Sequence, residues 1–376
     1  MDGIQLHQFD NHDVLRQFGK GLIIDFFGKR RVLSTSMLHG GFSDTLKHVF
    51  NYNCLADDYD CSLHYDSYEQ ELEENARCLS LNPEEATGLS TAAFVECAAV
   101  CTKQYMDLSV TAVVTAGIDY NAVRIGDPAS YYEKSNVYTP LEPGTINILL
   151  YINHAMPEGA MVRAVTMCTE AKSAAIAELM LGSCYSSGIA TGSGTDGTII
   201  ISDLETNDIL TDAGGHSKLG ELIGCSVKTA VKEALLKQTS ASPARQHSIL
   251  ERGKRYGISI VSLWNCRLKL IESLNATNQG AASIALQEFE RRILSMHQNS
   301  NTVIFTSLYL HLVDQYQWKL IEWPEILRES KSLCQWYLST NQLDASILPS
   351  ISYTTKSQIQ DLIDYYQYAI IVRICF

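Results

Sequence analysis

At 376 residues the chain exceeds the usual size of one compact domain, and its 46% hydrophobic and 19% charged residues are those of a globular protein folded nearly throughout. A net charge of −13 speaks against nucleic acid as the main partner, because phosphate binding needs clustered lysine and arginine. The N-terminal stretch MDGIQLHQFDNHDVL lacks the basic and apolar regions of an export signal, and no apolar run reaches the roughly 18 residues of a spanning helix; a cytoplasmic protein without a membrane partner is expected.

In chain order, residues 21–27 and 31–36 read as two strands joined at Gly28-Lys29, and residues 83–103 read as a helix. Strands follow at 111–115, 145–152 and 198–202, with a helix at 162–181 whose inner face carries Ala171, Ala175 and Leu179. Ser217 caps a further helix running to about Lys237. The polar stretch QTSASPARQ at 238–246 reads as a linker, and beyond it residues 286–296, 302–338 and 357–371 keep helical spacing. The expected fold class is α+β: a layered mixed sheet with flanking helices over residues 1–240, then an all-helical domain over 247–376. The 11 cysteines include no CxxC pair, so they are expected to be reduced and mostly buried; Cys97 and Cys101, four apart on the expected helix, find no second pair to complete a metal site.

Residues able to do chemistry gather at strand ends. His216, in Gly214-Gly215-His216-Ser217-Lys218, stands where free N–H groups at a helix start hold an oxyanion and keep an imidazole neutral; it is a base or a capping residue. Thr191-Gly192-Ser193-Gly194-Thr195-Asp196-Gly197 is a glycine-rich turn before a strand, without the Gly-Lys-Ser/Thr ending of a phosphate loop; Asp196 either acts as a base or satisfies the turn's own amides. Ser36, His39, Gly40 and Gly41 close one strand, Asn121 and Asp127 follow another, and Thr145 and Asn147 open a third. Four such clusters argue for one convergent pocket.

Taken in order, the segments VLSTSMLHGG, VVTAGIDYNAVRIGDP, PGTINILLYIN, MVRAVTMCTEAKSAAIAEL, YSSGIATGSGTDGTIII and AGGHSKLGELIG resemble the adenosylcobinamide amidohydrolase family over roughly residues 20–238. The resemblance implies hydrolysis of the amide joining the corrin propionate to aminopropanol, giving adenosylcobyric acid in corrinoid salvage. The chain departs from it at His39, where the family's turn is expected to carry asparagine, and in the helical region after Pro243. It implies no protein-bound cofactor, since the corrinoid and its cobalt are substrate. The catalytic residues expected are His216, Asp196, Thr145 and Thr195, with Ser36, His39, Gly40, Gly41, Asn121, Asp127, Asn147, Glu170, Gly192, Gly194, Gly215, Ser217 and Lys218 binding substrate.

Three routes stay open at this stage. A hydroxyl nucleophile, Thr145 or Thr195, needs a base such as His216 and an oxyanion hole; a water route needs only a base. The GTIN and TGSGTDG elements also look like those of the ornithine acetyltransferase and aminopeptidase group, whose threonine nucleophile is exposed by self-cleavage; Thr145 would be that residue. The continuous 376-residue chain is set against such a cut. A metal route would need His39, His154, Glu170 and His216 to converge in space, and no metal is expected. The rival function is a non-catalytic corrinoid carrier, with the helical domain docking a partner or forming a homo-oligomer.

Overall fold

The computed structural model describes residues 3–55, 65–130, 132, 143–274, 284–351 and 358–375. The chain forms two compact units, Met1–Ser242 and Pro243–Phe376.

The first unit opens with strands β1 (Ile4–Gln8), β2 (Val14–Phe18), β3 (Gly21–Asp25), β4 (Arg30–Ser34), β5 (Gly41–Ser43) and β6 (His48–Asn53), then helix α1 (Tyr68–Cys78). It continues through β7 (Ala86–Thr91), β8 (Ala99–Tyr105), β9 (Leu108–Gly117), β10 (Ala122–Val123), β11 (Thr145–Ile152), α2 (Glu158–Glu178), β12 (Gly192–Ser193), β13 (Gly197–Asp203) and α3 (Lys218–Thr239). Two main sheets result, ordered β1-β2-β3-β6-β7 and β5-β4-β13-β11-β9-β8; both mix parallel and antiparallel pairs, as in β11 with β13 and β9.

The cores arrange these sheets in layers. Leu15, Leu22, Val49, Leu149, Tyr151 and Ile199 pack between the two sheets. Beyond the six-stranded sheet, Ile148 and Leu150 meet Ala164 and Cys168 of α2 and Val227 and Val231 of α3. Beyond the five-stranded sheet, Ile23 and Phe50 meet Leu72 and Ala76 of α1. The order is therefore helix, sheet, sheet, helices. Strand β11 reads TINILLYI with all eight residues buried, as a strand covered on both faces must be.

One expectation is corrected. Residues 83–103 form no α-helix; they hold two 3-10 turns with β7 and β8. Gly88 lies so close to the Phe50 ring that a Cβ there would come within 2.3 Å of it, a sheet contact that an expected helix would forfeit. Residues 21–27 and 31–36 contain strands β3 and β4 as expected, and the two belong to different sheets. Arg30, at the start of β4 and 1% exposed, donates from Nε to Asp13 Oδ2 at 2.7 Å and from Nη1 to Asp203 Oδ1 at 2.9 Å. Burial disfavours its charge, yet the two carboxylates outweigh burial and hold its pKa above the ordinary value.

The second unit is helical, with helices at Ile260–Ser273, Leu286–Met296, Ser300–Gln317, Trp323–Thr340 and Gln358–Cys375. The segment expected as helical over 302–338 is thus two helices, and Ser357, the expected start of the last, lies outside the described residues. Phe305 stacks on Tyr337 at 4.2 Å and on Tyr366 at 5.5 Å between ring centroids. The expectation of mostly buried cysteines does not hold: only Cys168, Cys266 and Cys334 are buried among the described residues, Cys61 lies outside them, and Cys97 sits in a turn while Cys101 lies on a strand. Among the described residues no helix is long and apolar enough to cross a membrane.

Two outcomes follow from the buried ion pairs. Replacing Arg30 by Met leaves Asp13 and Asp203 buried without their cation and lowers stability by about 3–5 kcal/mol, read as a shift of the urea midpoint of the residue 1–242 unit. Asp25 behaves differently with pH: burial raises its pKa, but hydrogen bonds from His48 and Arg16 bring it below the usual carboxylate range. A lowered folded pKa stabilises above the unfolded value, about 3.9, and the gain disappears as pH falls through the folded one. Asp25→Asn is expected to lower the midpoint at pH 7 and to match the parent in strong acid.

Candidate active site

Alternation along β11 decides which residues meet. Ile146, Ile148, Leu150 and Ile152 point to the helix side, while Leu149 and Tyr151 face the other sheet; Thr145 and Asn147 continue that second face to the strand's start. There β11 runs beside Gly197 of β13 and Gly117 of β9. The turn between β12 and β13 therefore lands on Thr145.

Thr145 is 5% exposed, and its hydroxyl hydrogen-bonds Thr195 Oγ1. Thr195 Oγ1 donates to the Gly144 carbonyl oxygen at 2.9 Å, and Asn121 Nδ2 donates to the same oxygen at 3.0 Å. Tyr185 Oη holds Asn121 from behind at 2.8 Å. Asp196 fixes the turn: its carboxylate accepts from the Ile146 amide at 2.9 Å, the Ser193 amide at 3.0 Å, Ser193 Oγ at 2.6 Å, and Lys172 Nζ of α2. A Cβ on Gly192 would come within 2.2 Å of Asp196 Oδ2 and 2.8 Å of Lys172 Nζ, so this ion pair exists only beside a glycine. Asn147 ties the sheets together, donating to Asn51 Oδ1 and the Ser90 carbonyl at 2.8 Å each and accepting from the Gly197 amide at 3.0 Å. A cavity of about 500 Å³ opens beside this end, lined by Gly117, Asp119, Tyr120, Pro143, Gly144 and Gln238 among others.

Several expected site residues have other placements. His216 is exposed at the far end of the unit: α3 has 22 residues, about 33 Å at 1.5 Å per residue, and it is Gln238 at its other end that packs on Gly117 beside Thr145. Gly215, Ser217 and Lys218 lie at that remote end too, where Ser217 caps α3 and Lys218 covers the Tyr105 ring. Glu170 is exposed on α2, and Lys172 two residues on is the one that reaches the turn. Asp196 accepts four hydrogen bonds, which suits holding a turn rather than taking a proton. Asn147, at 1% exposure, and Asn121, at 2%, position neighbours and face no open space. The buried Ser36 hydroxyl bonds the Gly88 carbonyl at 2.6 Å. Asp127 braces the loop after β10: burial raises its pKa, and hydrogen bonds led by the one from Ser183 more than reverse this. His39 is exposed with φ of 48°, a left-handed conformation that asparagine adopts more readily, and Gly41 follows with φ of 81°. Gly40 packs against the Ser36 carbonyl, and Gly194 borders open space.

Asn51, Lys172, Tyr185 and Ser193 were not among the expected site residues. For Lys172 a signal existed, since a lysine within a run of alanine and serine faces either solvent or an acid. Nothing local marks Asn51.

Three potential metal donors, Asp107, His154 and Asp208, lie with ligand atoms within 4.8 Å of one another. His154 follows the opposite end of β11, roughly 23 Å from Thr145 at 3.3 Å per residue, so this group is no part of the Thr145 cluster.

A family profile described as adenosylcobinamide amidohydrolase matches residues 6–243. A Methanocaldococcus jannaschii protein described as uncharacterized is 36% identical over 230 residues, 58% of this chain and 87% of its own length. Among solved structures, a Pyrococcus horikoshii OT3 protein aligns with 69% of this chain and 90% of its own at 12% identity and a TM-score of 0.30. A Burkholderia sp. beta-aminopeptidase covers 62% and 82% respectively at 12% identity and a TM-score of 0.27. These two overlaps are too loose to bear on the site. The profile spans well over half of the chain and contains the whole Thr145 cluster, and the protein belongs to the adenosylcobinamide amidohydrolase family.

Proposed function

We propose that the first unit hydrolyses the aminopropanol amide of adenosylcobinamide, with Thr145 as nucleophile. The observation that carries this reading is the Thr145 hydroxyl bonded to Thr195, beside a carbonyl oxygen held by two donors, next to a cavity of a size that ligands occupy. The cavity takes the amide arm, and the macrocycle stays outside over the exposed rings of Tyr120 and Phe94.

In this reading Thr145 Oγ attacks the amide carbon and its proton passes to the departing nitrogen. The C–N bond breaks, aminopropanol leaves, and the corrin propionate remains as an ester on Thr145. Water then cleaves the ester to adenosylcobyric acid and restores the hydroxyl. Asn121 Nδ2 and Thr195 Oγ1, which hold the Gly144 oxygen, are donors of the kind that stabilise an oxyanion, and they can serve the substrate only when that carbonyl has given up its place. Asp196 and Lys172 act by positioning, since they fix the turn that presents Thr195.

Purified protein incubated with adenosylcobinamide is expected to release aminopropanol and a corrinoid with one new carboxylate. Tight corrinoid binding without turnover would instead support the carrier reading. Thr145→Ala is expected to lower kcat/KM by on the order of 10³ or more, with Thr145→Ser retaining part of the rate. His216→Ala, remote from Thr145, is expected to stay within about twofold of the parent; a loss as large as that of Thr145→Ala would move the site to the other end of the sheet. Gly192→Ala separates Lys172 from Asp196 and is expected to cost at least about tenfold in kcat.

A further inference from the structure

Among the described residues none bonded to the Thr145 hydroxyl is the base that a nucleophile needs. Among the described residues its hydrogen-bond partner is Thr195 Oγ1, with no imidazole or carboxylate in reach. Thr195 donates its single proton to the Gly144 carbonyl, so in the Thr145–Thr195 bond Thr145 is the donor. The chain of bonds thus runs from the Thr145 hydroxyl, through Thr195, to the carbonyl oxygen of the peptide immediately before Thr145. Asn121 Nδ2 is the second donor to that oxygen. A Cβ on Gly144 would come within 2.8 Å of the Asn121 Cβ and 3.0 Å of the Gly117 carbonyl, so glycine is what lets this carbonyl sit between its donors. Such an arrangement is an oxyanion hole already occupied by the protein's own peptide bond.

We propose that the chain cleaves its own Gly144–Thr145 bond, and that the α-amine so freed on Thr145 is the missing base. As Thr145 Oγ bonds to the Gly144 carbonyl carbon, its proton moves to Thr195 and the Thr195 proton moves to the carbonyl oxygen, giving a neutral five-membered ring intermediate. The ring opens by breaking the C–N bond; the hydroxyl proton leaves the carbon centre and the nitrogen gains one, so Gly144 is left as an ester on Thr145 with a free amine. One water cleaves the ester to a Gly144 carboxylate and the Thr145 hydroxyl. An α-amine titrates at about 7.7–8.0, so near neutral pH a useful fraction is unprotonated and one residue carries both nucleophile and base. The cut also answers the burial of Thr145. Pro143 and Gly144 form part of the cavity wall, and parting Gly144 from Thr145 joins the hydroxyl to the cavity. The continuity of the encoded chain does not weigh against this, because a chain that cuts itself is translated whole.

The assignment of the amine as base rests on the hydrolase reading above; the cut itself does not. The test is intact mass and N-terminal sequencing of the full chain after purification and incubation, with corrinoid turnover followed on the same samples. Expected are fragments 1–144 and 145–376 whose masses sum to the chain plus one water, a new N-terminus Thr-Ile-Asn, and turnover rising in step with the cut fraction. Thr145→Ser is expected to cut and Thr145→Ala to stay whole. Thr195→Val, close in shape, is expected to slow the cut at least tenfold with an unchanged melting curve. A parent chain that stays whole, or full turnover by whole chain, overturns the proposal, as does a Thr145→Ala chain cut at the same bond by an outside protease. A cut chain without turnover leaves self-cleavage standing and overturns the hydrolase reading alone.

Discussion

What Thr145 can do depends on the carboxylate of Asp196. It accepts from the Ile146 amide on one strand, from Ser193 in its own turn, and from Lys172 on a helix, so one side chain joins three separate elements. That joint places Thr195 against Thr145 and against the Gly144 carbonyl at once. A half-buried carboxylate tolerates such a place because its lone pairs are filled and its charge is met by the Lys172 ammonium. Gly192 is the steric condition for the pair, and Asn147, bonded to both sheets, keeps the strand starts in register behind it.

The layered architecture gives this unit two chemically distinct ends. At one, hydroxyls and amides of Thr145, Thr195, Asn121 and Asn147 gather beside a cavity. At the other, His154, Asp107, Asp208 and the exposed start of α3 come together. The eight buried residues of β11 and the length of α3 separate them, and Arg30, neutralised between the sheets, holds the layers that define both. The proposed function rests on the first end, which has a hydroxyl bonded to Thr195, a carbonyl held by two donors and a cavity beside it.

Legibility in the sequence was uneven. Strands 145–152 and 198–202 and the helix capped by Ser217 were readable because β-branched runs and a capping serine are local signals. The stretch 83–103 misled because its helical spacing is local, whereas the packing of Gly88 on Phe50 and the pairing of β7 with β6 are not. Within the site, Thr145, Thr195 and Asp196 stood out as hydroxyls and an acid in glycine-rich turns. Lys172 and the exposed Glu170 face different surroundings two residues apart on one helix, and their neighbours in sequence do not say which of them reaches the turn.

His216 shows most clearly where the sequence stops. Its glycine-rich turn and that of Thr195 are separated by only about twenty residues, and both resemble ligand cradles. Strand β13 runs the full depth of the sheet between them, so nearness along the chain becomes opposite ends in space. By itself the sequence determined the elements with local signals, the family, and the chemical character of the strand-end clusters, because spacing, capping and motif are written in neighbouring residues. Only the tertiary structure decided which clusters share a site, since strand direction and sheet pairing choose the end at which each side chain emerges. It also decided that the group bonded to the Thr145 hydroxyl is Thr195, which in turn holds the preceding carbonyl, rather than a histidine.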